Sequence, residues 1–232
     1  MKNYAFIFAR GGSKGLQKKN IKPLNGKPLI YYSINIAKKC ELIESVFVST
    51  EDEEIRNIAK KNGAIVVDRP KRLSTDSAPE IEAWKHAIEH CYSKYGEFDN
   101  FISLPSTSPL RSEVDINNAI KHLDTTNADI CISICRSSRS PYFNMVKLDD
   151  ESRNSVSLLI KNQNTISRRQ DTPKTFDITT VVYAAKPNYI LSADSILEGD
   201  VVAVEVPRER SIDIDDIIDF QLAENLLKNT HE

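Results

Sequence analysis

The sequence is poor in the features that mark membrane-spanning and nucleic-acid-binding proteins. Its 232 residues contain four cysteines, seven glycines and one tryptophan, and the net charge at pH 7 is −2. No apolar run approaches the roughly 20 residues that a membrane-spanning helix needs. A nearly balanced charge also provides no general attraction to nucleic acid or to an anionic membrane surface. We therefore expect neither nucleic acid nor a membrane among its partners.

The cysteines and the N-terminus predict a cytoplasmic protein. The four cysteines show no Cys-x-x-Cys spacing, and Cys131 and Cys135 lie in one alternating apolar run. This pattern favours reduced, mostly buried thiols. The segment Met1–Tyr4 leads directly into a predicted strand and has no small-residue cleavage site. We therefore expect no signal peptide.

Apolar, β-branched runs alternate with helical patterns along much of the chain, which is typical of a parallel sheet covered by helices on both faces. A length of 232 residues suits one well-buried domain. The sequence therefore predicts an α/β fold and a single domain over residues 1–232. The predicted strands are Tyr4–Phe8, Ser45–Ser49, Ala64–Val67, Asn100–Leu104 and Asp129–Ile134, and the predicted helices are Leu29–Lys39, Asp52–Lys61, Pro79–Tyr95 and Val114–Leu123.

The alternation stops after Cys135, and residues of about 136–175 are predicted to form an insertion. This segment is polar, with a strand pattern at Tyr142–Leu148 and one further apolar stretch at Val156–Ile160. Strand patterns then resume, and an amphipathic helix closes the chain. The resumed strands are Ile178–Ala185 and Val201–Val206, and the helix is Ile217–Leu227.

A glycine-rich loop follows the first predicted strand and indicates a phosphate-binding site. The loop reads Ala9-Arg10-Gly11-Gly12-Ser13-Lys14-Gly15 and contains three of the seven glycines. Glycines allow backbone N–H groups to approach an anion, and Lys14, Lys18 and Lys19 add positive charge beside the loop. The spacing is neither Walker A nor Gly-x-Gly-x-x-Gly, so a P-loop ATPase and a dinucleotide dehydrogenase are disfavoured. The alternative interpretation is a glycine-rich turn with solvated lysines.

Two further clusters carry polar groups suited to a ligand. Ser106, Thr107, Ser108 and Arg111 follow the strand at Asn100–Leu104, where open α/β sheets bind ligands. A turn that caps the next helix explains the same residues equally well. The second cluster, Ser167-Arg168-Arg169-Gln170-Asp171, suits a carboxylate and a hydroxyl-rich ligand, although charged runs are usually solvated surface.

The acidic segment Ile212-Asp213-Ile214-Asp215-Asp216 is a candidate Mg²⁺ site. In an extended chain, Asp213 and Asp215 point to the same side. Mg²⁺ commonly binds through few carboxylates together with phosphate oxygens, which the glycine-rich loop would hold nearby. The alternative interpretation is a helix N-cap, which we favour for Asp216.

Taken in order, these clusters resemble the CMP-N-acylneuraminate cytidylyltransferases. The resemblance covers nearly the whole chain, and it adds Arg69-Pro70 with Leu73 and Asp76, and Pro173, to the motifs above. It implies a Rossmann-like nucleotidyltransferase fold, a three-layer sandwich with a mostly parallel sheet. It also implies Mg²⁺-dependent transfer of CMP from CTP to the anomeric hydroxyl of a nonulosonic acid, with release of pyrophosphate.

The resemblance also assigns roles to individual residues. Arg10, Lys19, Asp213 and Asp215 would act in catalysis, and the two aspartates would hold Mg²⁺. The insertion is expected to pack on a second copy in a homodimer and to bring its arginines to the sugar. The expected CTP-binding residues are Ala9, Arg10, Gly11, Gly12, Ser13, Lys14, Asn20, Arg69, Asp76 and Ser77, and the expected sugar-binding residues are Ser106, Thr107, Ser108, Arg111, Arg168, Arg169, Gln170 and Phe176.

Two departures from the family pattern concern the sugar. Pro105 and Ser106 stand where many sialic acid enzymes have Gln-Pro, and Ile178-Thr179-Thr180 stands where many have Asn-Gly-Ala. With residues 139–145, these changes look more like the synthetases for legionaminic or pseudaminic acid. The alternatives are a cytidylyltransferase for another acidic sugar such as Kdo, and a nucleotide-sugar binding module without turnover.

Overall fold

One seven-stranded sheet organises the chain. The structure, a computed structural model, describes residues 1–12, 15–161 and 168–229. In chain order the elements are β1 (Asn3–Phe8), β2 (Pro23–Leu24), β3 (Lys27–Pro28), α1 (Leu29–Lys39), β4 (Ser45–Thr50), α2 (Glu53–Lys61), β5 (Ile65–Asp68), α3 (Glu80–Tyr95), β6 (Asn100–Ser103), α4 (Glu113–Thr126), β7 (Ile130–Arg136), β8 (Val146–Asp150), β9 (Ser155–Leu158), β10 (Phe176–Ala185), α5 (Pro187–Ser192), β11 (Val201–Glu205) and α6 (Ile217–Asn229).

The sheet is mostly parallel, as the alternation of strands and helices predicts. Its strand order is β11-β7-β10-β6-β1-β4-β5. Every neighbouring pair is parallel except those of β10, which runs antiparallel to both β6 and β7. The carboxyl ends of β1, β4, β5 and β6 therefore meet at one edge, and the loops that follow these strands lie side by side.

Helices cover both faces of the sheet and complete a three-layer sandwich. Because side chains alternate along a strand, Ala5 and Ile7 face the core under α1, α2 and α4. Tyr4 and Phe6 face the other core, which α3 and α5 cover and which contains the buried Trp84. The predicted fold class is thus confirmed. Within the described part of the chain, no helix is both long and apolar enough to cross a membrane.

The C-terminal helix packs beside the sheet rather than on either face of it. Phe220 and Ala223 of α6 bury against Leu24 and Leu29, at the small hairpin of β2 and β3 and the start of α1. This hairpin and α5 are too short to leave a periodic pattern, and the sequence analysis did not predict them. The packing of α6 brings the acidic segment that precedes it close to the glycine-rich loop.

The segment predicted to be an insertion projects from the edge of the sheet that carries the site. β7 and β10 remain paired out to Arg136 and Phe176, beyond the pairing of β10 with β6. Past this ribbon, β8 and β9 form a separate antiparallel hairpin. The predicted strand at Tyr142–Leu148 is wrong in its first residues, because the carbonyl of Ser140 accepts the N–H groups of residues 143–145 in a turn.

Candidate active site

A cavity of about 320 Å³ opens at the carboxyl edge of the sheet. The loop after β1, the segment from the end of β5 to the first turn of α3 and the loop after β6 form its walls. The structure therefore brings together residues from two of the predicted clusters and from the motif that begins at Arg69. The predicted residues on its walls are Arg10, Gly12, Lys19, Asn20, Arg69, Asp76, Ser106 and Thr107.

Asn20 ties the glycine-rich loop to the loop after β6. Its side-chain N–H₂ donates to the carbonyl of Arg10 at 2.9 Å, and its Oδ1 accepts from Ser106 Oγ at 2.6 Å. Asn20 and Ser106 are both buried. A buried amide that is satisfied on both sides holds the two loops at a set separation. Ala9, at the start of the loop, is also buried and donates its N–H to the Ser49 carbonyl at 3.1 Å.

Lys19 ties the same loop to the acidic segment. Its ammonium donates to the carbonyl of Ile214 at 2.6 Å and lies 3.3 Å from Asp215 Oδ1. Gly15 faces the same segment so closely that a Cβ there would lie 2.4 Å from the Asp215 carbonyl oxygen. Glycine is required at this position because the two chain segments touch. Ser13 and Lys14, between these contacts, lie outside the described residues.

The acidic segment divides into candidate metal ligands and a helix cap. Asp213 Oδ1 is buried, with no hydrogen-bond partner among the described residues, and Asp213 lies within electrostatic reach of Arg111 and Glu80. Asp215 is exposed and pairs with Lys19. Asp216 Oδ1 accepts the N–H groups of Ile218 and Asp219 at 2.7 and 3.0 Å, so it is the N-cap of α6, as predicted.

The carboxylate oxygens of Asp213 and Asp215 fit a divalent cation that also binds the phosphate oxygens of a substrate. A buried carboxylate oxygen without a donor is a site that a cation would satisfy. No group of three or more acidic, histidine or cysteine side chains placed to hold a metal ion occurs in the described ranges. Mg²⁺ would therefore take oxygens from Asp213 and Asp215 and its remaining oxygens from phosphate and water, which is its usual manner of binding.

Carboxylates neutralise the donors of the glycine-rich loop in this structure. Arg10 Nη1 lies 2.6 Å from Asp76 Oδ1, and the N–H of Gly11 donates to Glu51 Oε1 at 2.8 Å. The other oxygen of Glu51 accepts from Ser74 Oγ at 2.8 Å. These donors already bind anionic oxygens, so the loop presents the kind of contacts that a phosphate would use.

Arg69 is a buried residue of the cavity wall, and contacts with Phe8 and Ser49 hold its side chain in place. Its guanidinium lies over the Phe8 ring, 5.6 Å from the centroid, and Nη2 donates to the Ser49 carbonyl at 2.7 Å. Burial lowers the pKa of Arg69 below the ordinary value of arginine. A guanidinium fixed in this way offers its remaining donors in one direction. Ser77, its predicted neighbour in the CTP site, is exposed and does not line the cavity.

Arg111 lies behind the loop after β6 rather than on the cavity wall. It is buried, and it donates to Ser33 Oγ at 2.6 Å and to the carbonyls of Pro105 and Thr180. These contacts clamp the loop to α1 and β10. Ser108 is also buried, and its hydroxyl lies 2.7 Å from Thr180 Oγ1. Direct sugar contacts for Arg111 and Ser108 stay a prediction.

Thr180 and Glu80 line the cavity, and the sequence analysis did not select either as a site residue. Thr180 reaches the cavity because β10 shifts register between Thr179 and Tyr183, where Ser133 Oγ bonds the backbone of Val182 and Thr179. A bulge of this kind re-aims a side chain. A bulge in an antiparallel strand of a mostly parallel sheet leaves no pattern in the sequence from which it could be predicted.

The predicted residues of the insertion lie apart from this cavity in the single chain. Arg168 pairs with Asp171 at 3.0 Å, and Gln170 lines a second cavity of about 410 Å³ with Arg136 and Lys174. Phe176 is partly exposed at the start of β10. The side chain of Arg169 lies outside the described residues. Sugar binding by Arg168, Arg169, Gln170 and Phe176 therefore stays a prediction.

The chain belongs to the cytidylyltransferase family, whose pattern it matches over residues 4–226. It is 32% identical to the post-translational flagellin modification protein B of Campylobacter coli, over 96% of this chain and 93% of the relative. It is 29% identical to the CMP-N,N'-diacetyllegionaminic acid synthase of Campylobacter jejuni, over 95% of this chain and 93% of the relative.

Two further comparisons concern a longer relative and a solved structure. An N-acylneuraminate cytidylyltransferase of Escherichia coli is 33% identical over 94% of this chain, which spans 50% of that longer relative. A solved CMP:2-keto-3-deoxy-manno-octonic acid synthetase complexed with CTP is 17% identical, with a TM-score of 0.71, and covers 99% of this chain and 100% of that one. At this identity, the likeness to the solved structure shows the fold alone.

Proposed function

We propose that the protein transfers CMP from CTP to the anomeric hydroxyl of a nonulosonic acid, in the presence of Mg²⁺, and releases pyrophosphate. The observation that carries the proposal is the bridge made by Lys19. It joins a phosphate-type loop to Ile214 and Asp215, in the acidic segment whose Asp213 has an unsatisfied buried carboxylate oxygen. A cavity that only binds a nucleotide sugar does not need this acidic pair beside its phosphate donors.

The triphosphate would lie along the glycine-rich loop. Arg10, the N–H of Gly11 and Lys19 would exchange their carboxylate and carbonyl partners for phosphate oxygens. Charge-assisted hydrogen bonds of this type are stronger than those between neutral groups. Because Asn20 and Ser106 hold the loop in place, its donors need little reorganisation when charge grows at the α-phosphate.

The reaction is a substitution at the α-phosphorus of CTP. The anomeric oxygen forms a new bond to this phosphorus, the bond to the bridging oxygen of the β-phosphate breaks, and pyrophosphate carries away the electron pair. The hydroxyl proton leaves to a base or to water. Bound Mg²⁺ supplies positive charge that stabilises the phosphate oxygens and the leaving pyrophosphate. Asp213 and Asp215 would hold this ion, and Lys19 and Arg10 would position the triphosphate.

The names of the relatives support the substrate class. The relatives from Campylobacter jejuni and Escherichia coli are named for legionaminic and acylneuraminic acids, which are both nonulosonic acids. The departures at Pro105-Ser106 and at residues 178–180 favour the legionaminic or pseudaminic type. Thr180, which is one of the residues that differ from the family pattern, lies on the wall of the cavity. We therefore propose legionaminate or a close relative as the acceptor.

We further propose that residues 136–175 form a dimerisation insertion within a single catalytic domain. Leu148 of β8 and Val156 of β9 form an exposed cross-strand apolar pair, and Met145 and Ile160 beside them are also exposed. An apolar surface of this kind on an isolated hairpin favours a partner. In a two-fold dimer, the arginines of the insertion would approach the sugar near the partner copy's cavity. The four free, buried cysteines are consistent with work in the reducing cytoplasm.

A pyrophosphate-release assay tests the proposed activity. The purified protein is incubated with CTP, Mg²⁺ and one of several acids, namely N-acetylneuraminate, legionaminate, pseudaminate and Kdo. We expect release with legionaminate or pseudaminate and the matching CMP-sugar by mass spectrometry. Release with Kdo alone would overturn the substrate class. Binding of CTP without turnover on any acid would favour the binding module instead.

A further inference from the structure

The loop after β6 connects the two chemically different parts of the candidate active site. Through the hydroxyl of Ser106 it bonds Asn20, whose side chain reaches the carbonyl of Arg10 in the glycine-rich loop. Through the carbonyl of Thr107 it accepts the N–H of Ile214, in the middle of the acidic segment, at 2.9 Å. The separation between the phosphate-type donors and the candidate metal ligands therefore depends in part on where this loop lies.

Ser33 and Arg111 form a clamp that holds this loop from behind. Ser33, a fully buried residue of α1, donates to the carbonyl of Pro105 at 3.1 Å and accepts from Arg111 Nη1 at 2.6 Å. Arg111 Nη2 donates to the same carbonyl and, at 3.1 Å, to that of Thr180. Neither Ser33 nor Arg111 lines the cavity. Because the Pro105 carbonyl belongs to the peptide that leads into Ser106, this peptide cannot rotate without breaking the bonds of the clamp.

The environment of Arg111 is unfavourable for a side chain that only supports the fold. The residue is 4% exposed, its hydrogen bonds go to neutral oxygens, and its Nε is buried without a partner among the described residues. Burial lowers its pKa to about 9, so the side chain is still a cation at pH 7. A buried cation that is not bonded to a carboxylate costs stability. Proteins depart from good packing rules in this way mainly at functional sites.

We propose that Ser33 and Arg111 are positioning residues, which fix the loop after β6 so that the glycine-rich loop and the acidic segment lie at the separation that CMP transfer requires. The inference rests on the proposed function, which places the triphosphate on one of these segments and Mg²⁺ on the other. Neither side chain would contact CTP, Mg²⁺ or the sugar acid. Loss of the clamp would therefore misplace groups that act together in the transition state, and it would preserve the contacts that bind each substrate separately.

Three substitutions loosen the clamp to different degrees. Ser33→Ala acts from α1, outside the cavity, and preserves the bonds of Arg111 Nη2. Arg111→Met removes every bond of the guanidinium, whereas Arg111→Lys keeps the charge and can still reach a carbonyl. Ser103→Ala is the matched control, because Ser103 is also buried and its hydroxyl has no partner in the described part of the chain. Thermal unfolding establishes which variants fold, and Ser33→Ala decides the test if Arg111→Met does not fold.

Steady-state kinetics with CTP, Mg²⁺ and the accepted sugar acid separates kcat from the two KM values. We expect kcat to fall by about 3- to 10-fold in Ser33→Ala and by about 100-fold in Arg111→Met, with both KM values within about threefold of those of the unmodified protein. Arg111→Lys should recover part of the lost kcat. Ser103→Ala should match the unmodified protein.

Calorimetry without a sugar acid provides a second measurement that needs no turnover. Mg²⁺ should tighten CTP binding in the unmodified protein, and in Ser33→Ala this gain should be smaller by about 3- to 10-fold, since the loop couples the two binding segments. CTP binding in EDTA should be unchanged, because the donors of the glycine-rich loop remain.

Two results would overturn the proposal. One is a rise in the KM of the sugar acid alone in the Arg111 variants, because it would identify Arg111 as a direct sugar contact. The other is a normal kcat in Ser33→Ala together with a normal gain in affinity from Mg²⁺. An unmodified protein that neither binds CTP nor releases pyrophosphate would overturn the proposed function and, with it, this inference.

Discussion

Replacing Asp213 by Asn removes one negative charge from the acidic segment and leaves its shape unchanged. Oδ1 of Asp213 is buried without a donor, and it lies near the negative charge of Glu80 as well as the positive charge of Arg111. A neutral amide at this position cannot hold Mg²⁺ as a carboxylate does. The variant therefore tests whether the orphaned oxygen is a metal ligand or only a feature of the chain.

The expected loss can be estimated from general magnitudes. Removing one contact to the charge that develops in the transition state lowers turnover by about 100-fold or more, or about 2.7 kcal/mol. Binding should change as well. At 100 times the dissociation constant, Mg²⁺ with CTP stabilises a folded protein by about 2.7 kcal/mol, and for a chain of this length that raises Tm by about 5 to 10 °C. Asp213→Asn should lose the part of this shift that requires Mg²⁺.

Two assays give the result, namely pyrophosphate release across a Mg²⁺ titration and thermal unfolding with CTP in Mg²⁺ or in EDTA. Asp216→Asn is the matched control, because it removes a charge three residues away that caps α6. Asn is also a good N-cap, so the turnover and the Tm of this control should stay close to those of the unmodified protein. Near-normal turnover of Asp213→Asn at low Mg²⁺, or an equal loss in the control, would refute the assignment.

Three further predictions concern the insertion and the scaffold. Arg168→Ala should raise the apparent KM for the sugar acid far more than that for CTP, and equal changes in steady-state kinetics would count against a sugar contact. Leu148→Asp should convert a dimer to a monomer in sedimentation, whereas Lys147→Asp, on the opposite face of β8, should not; a fully active monomeric parent would contradict the shared site. Arg210→Met should lower the free energy of unfolding by about 2 to 3 kcal/mol at pH 7, because Arg210 donates hydrogen bonds to both oxygens of the charged, buried Asp115 at 2.9 Å. Burial alone would raise the pKa of Asp115, but hydrogen bonds from Arg210 and Ser112 hold it below the usual value, so this stability is present above about pH 4 and is lost as the pH falls through the lowered pKa. Urea unfolding at pH 7 and pH 3 should therefore show a smaller difference between parent and variant at pH 3.

Local sequence patterns were sufficient to predict most of the sheet and its helices. The strand at Ser45–Ser49 ends one residue further on in the structure, and the helix at Leu29–Lys39 has its predicted bounds. These segments are buried and strongly periodic, so their pattern and their final environment agree. The turn at residues 141–144 shows the limit. Apolar residues there read as a strand, but hydrogen bonds to Ser140 stabilise a turn in a segment that no larger core covers.

The glycine-rich loop and the capping role of Asp216 were also readable from the sequence, because each depends on residues adjacent in the chain. Other features of the site depend on contacts between distant segments. Lys19 meets Ile214 across 195 positions, and Asn20 meets Ser106 across 86. Spacing along the chain carries no record of such contacts, which arise only once the sheet has placed its loops at one edge.

By itself, the sequence determined the α/β class, the order of most strands and helices along the chain, and the presence of phosphate-type and acidic clusters, since these follow from local composition and period. Only the tertiary structure decided which polar groups face the cavity. It placed Arg111 behind the loop and brought Thr180 forward on a bulge. It also placed Glu80 beside Arg69. The physical reason is that the direction of a side chain depends on packing and hydrogen bonds formed between segments far apart in the chain.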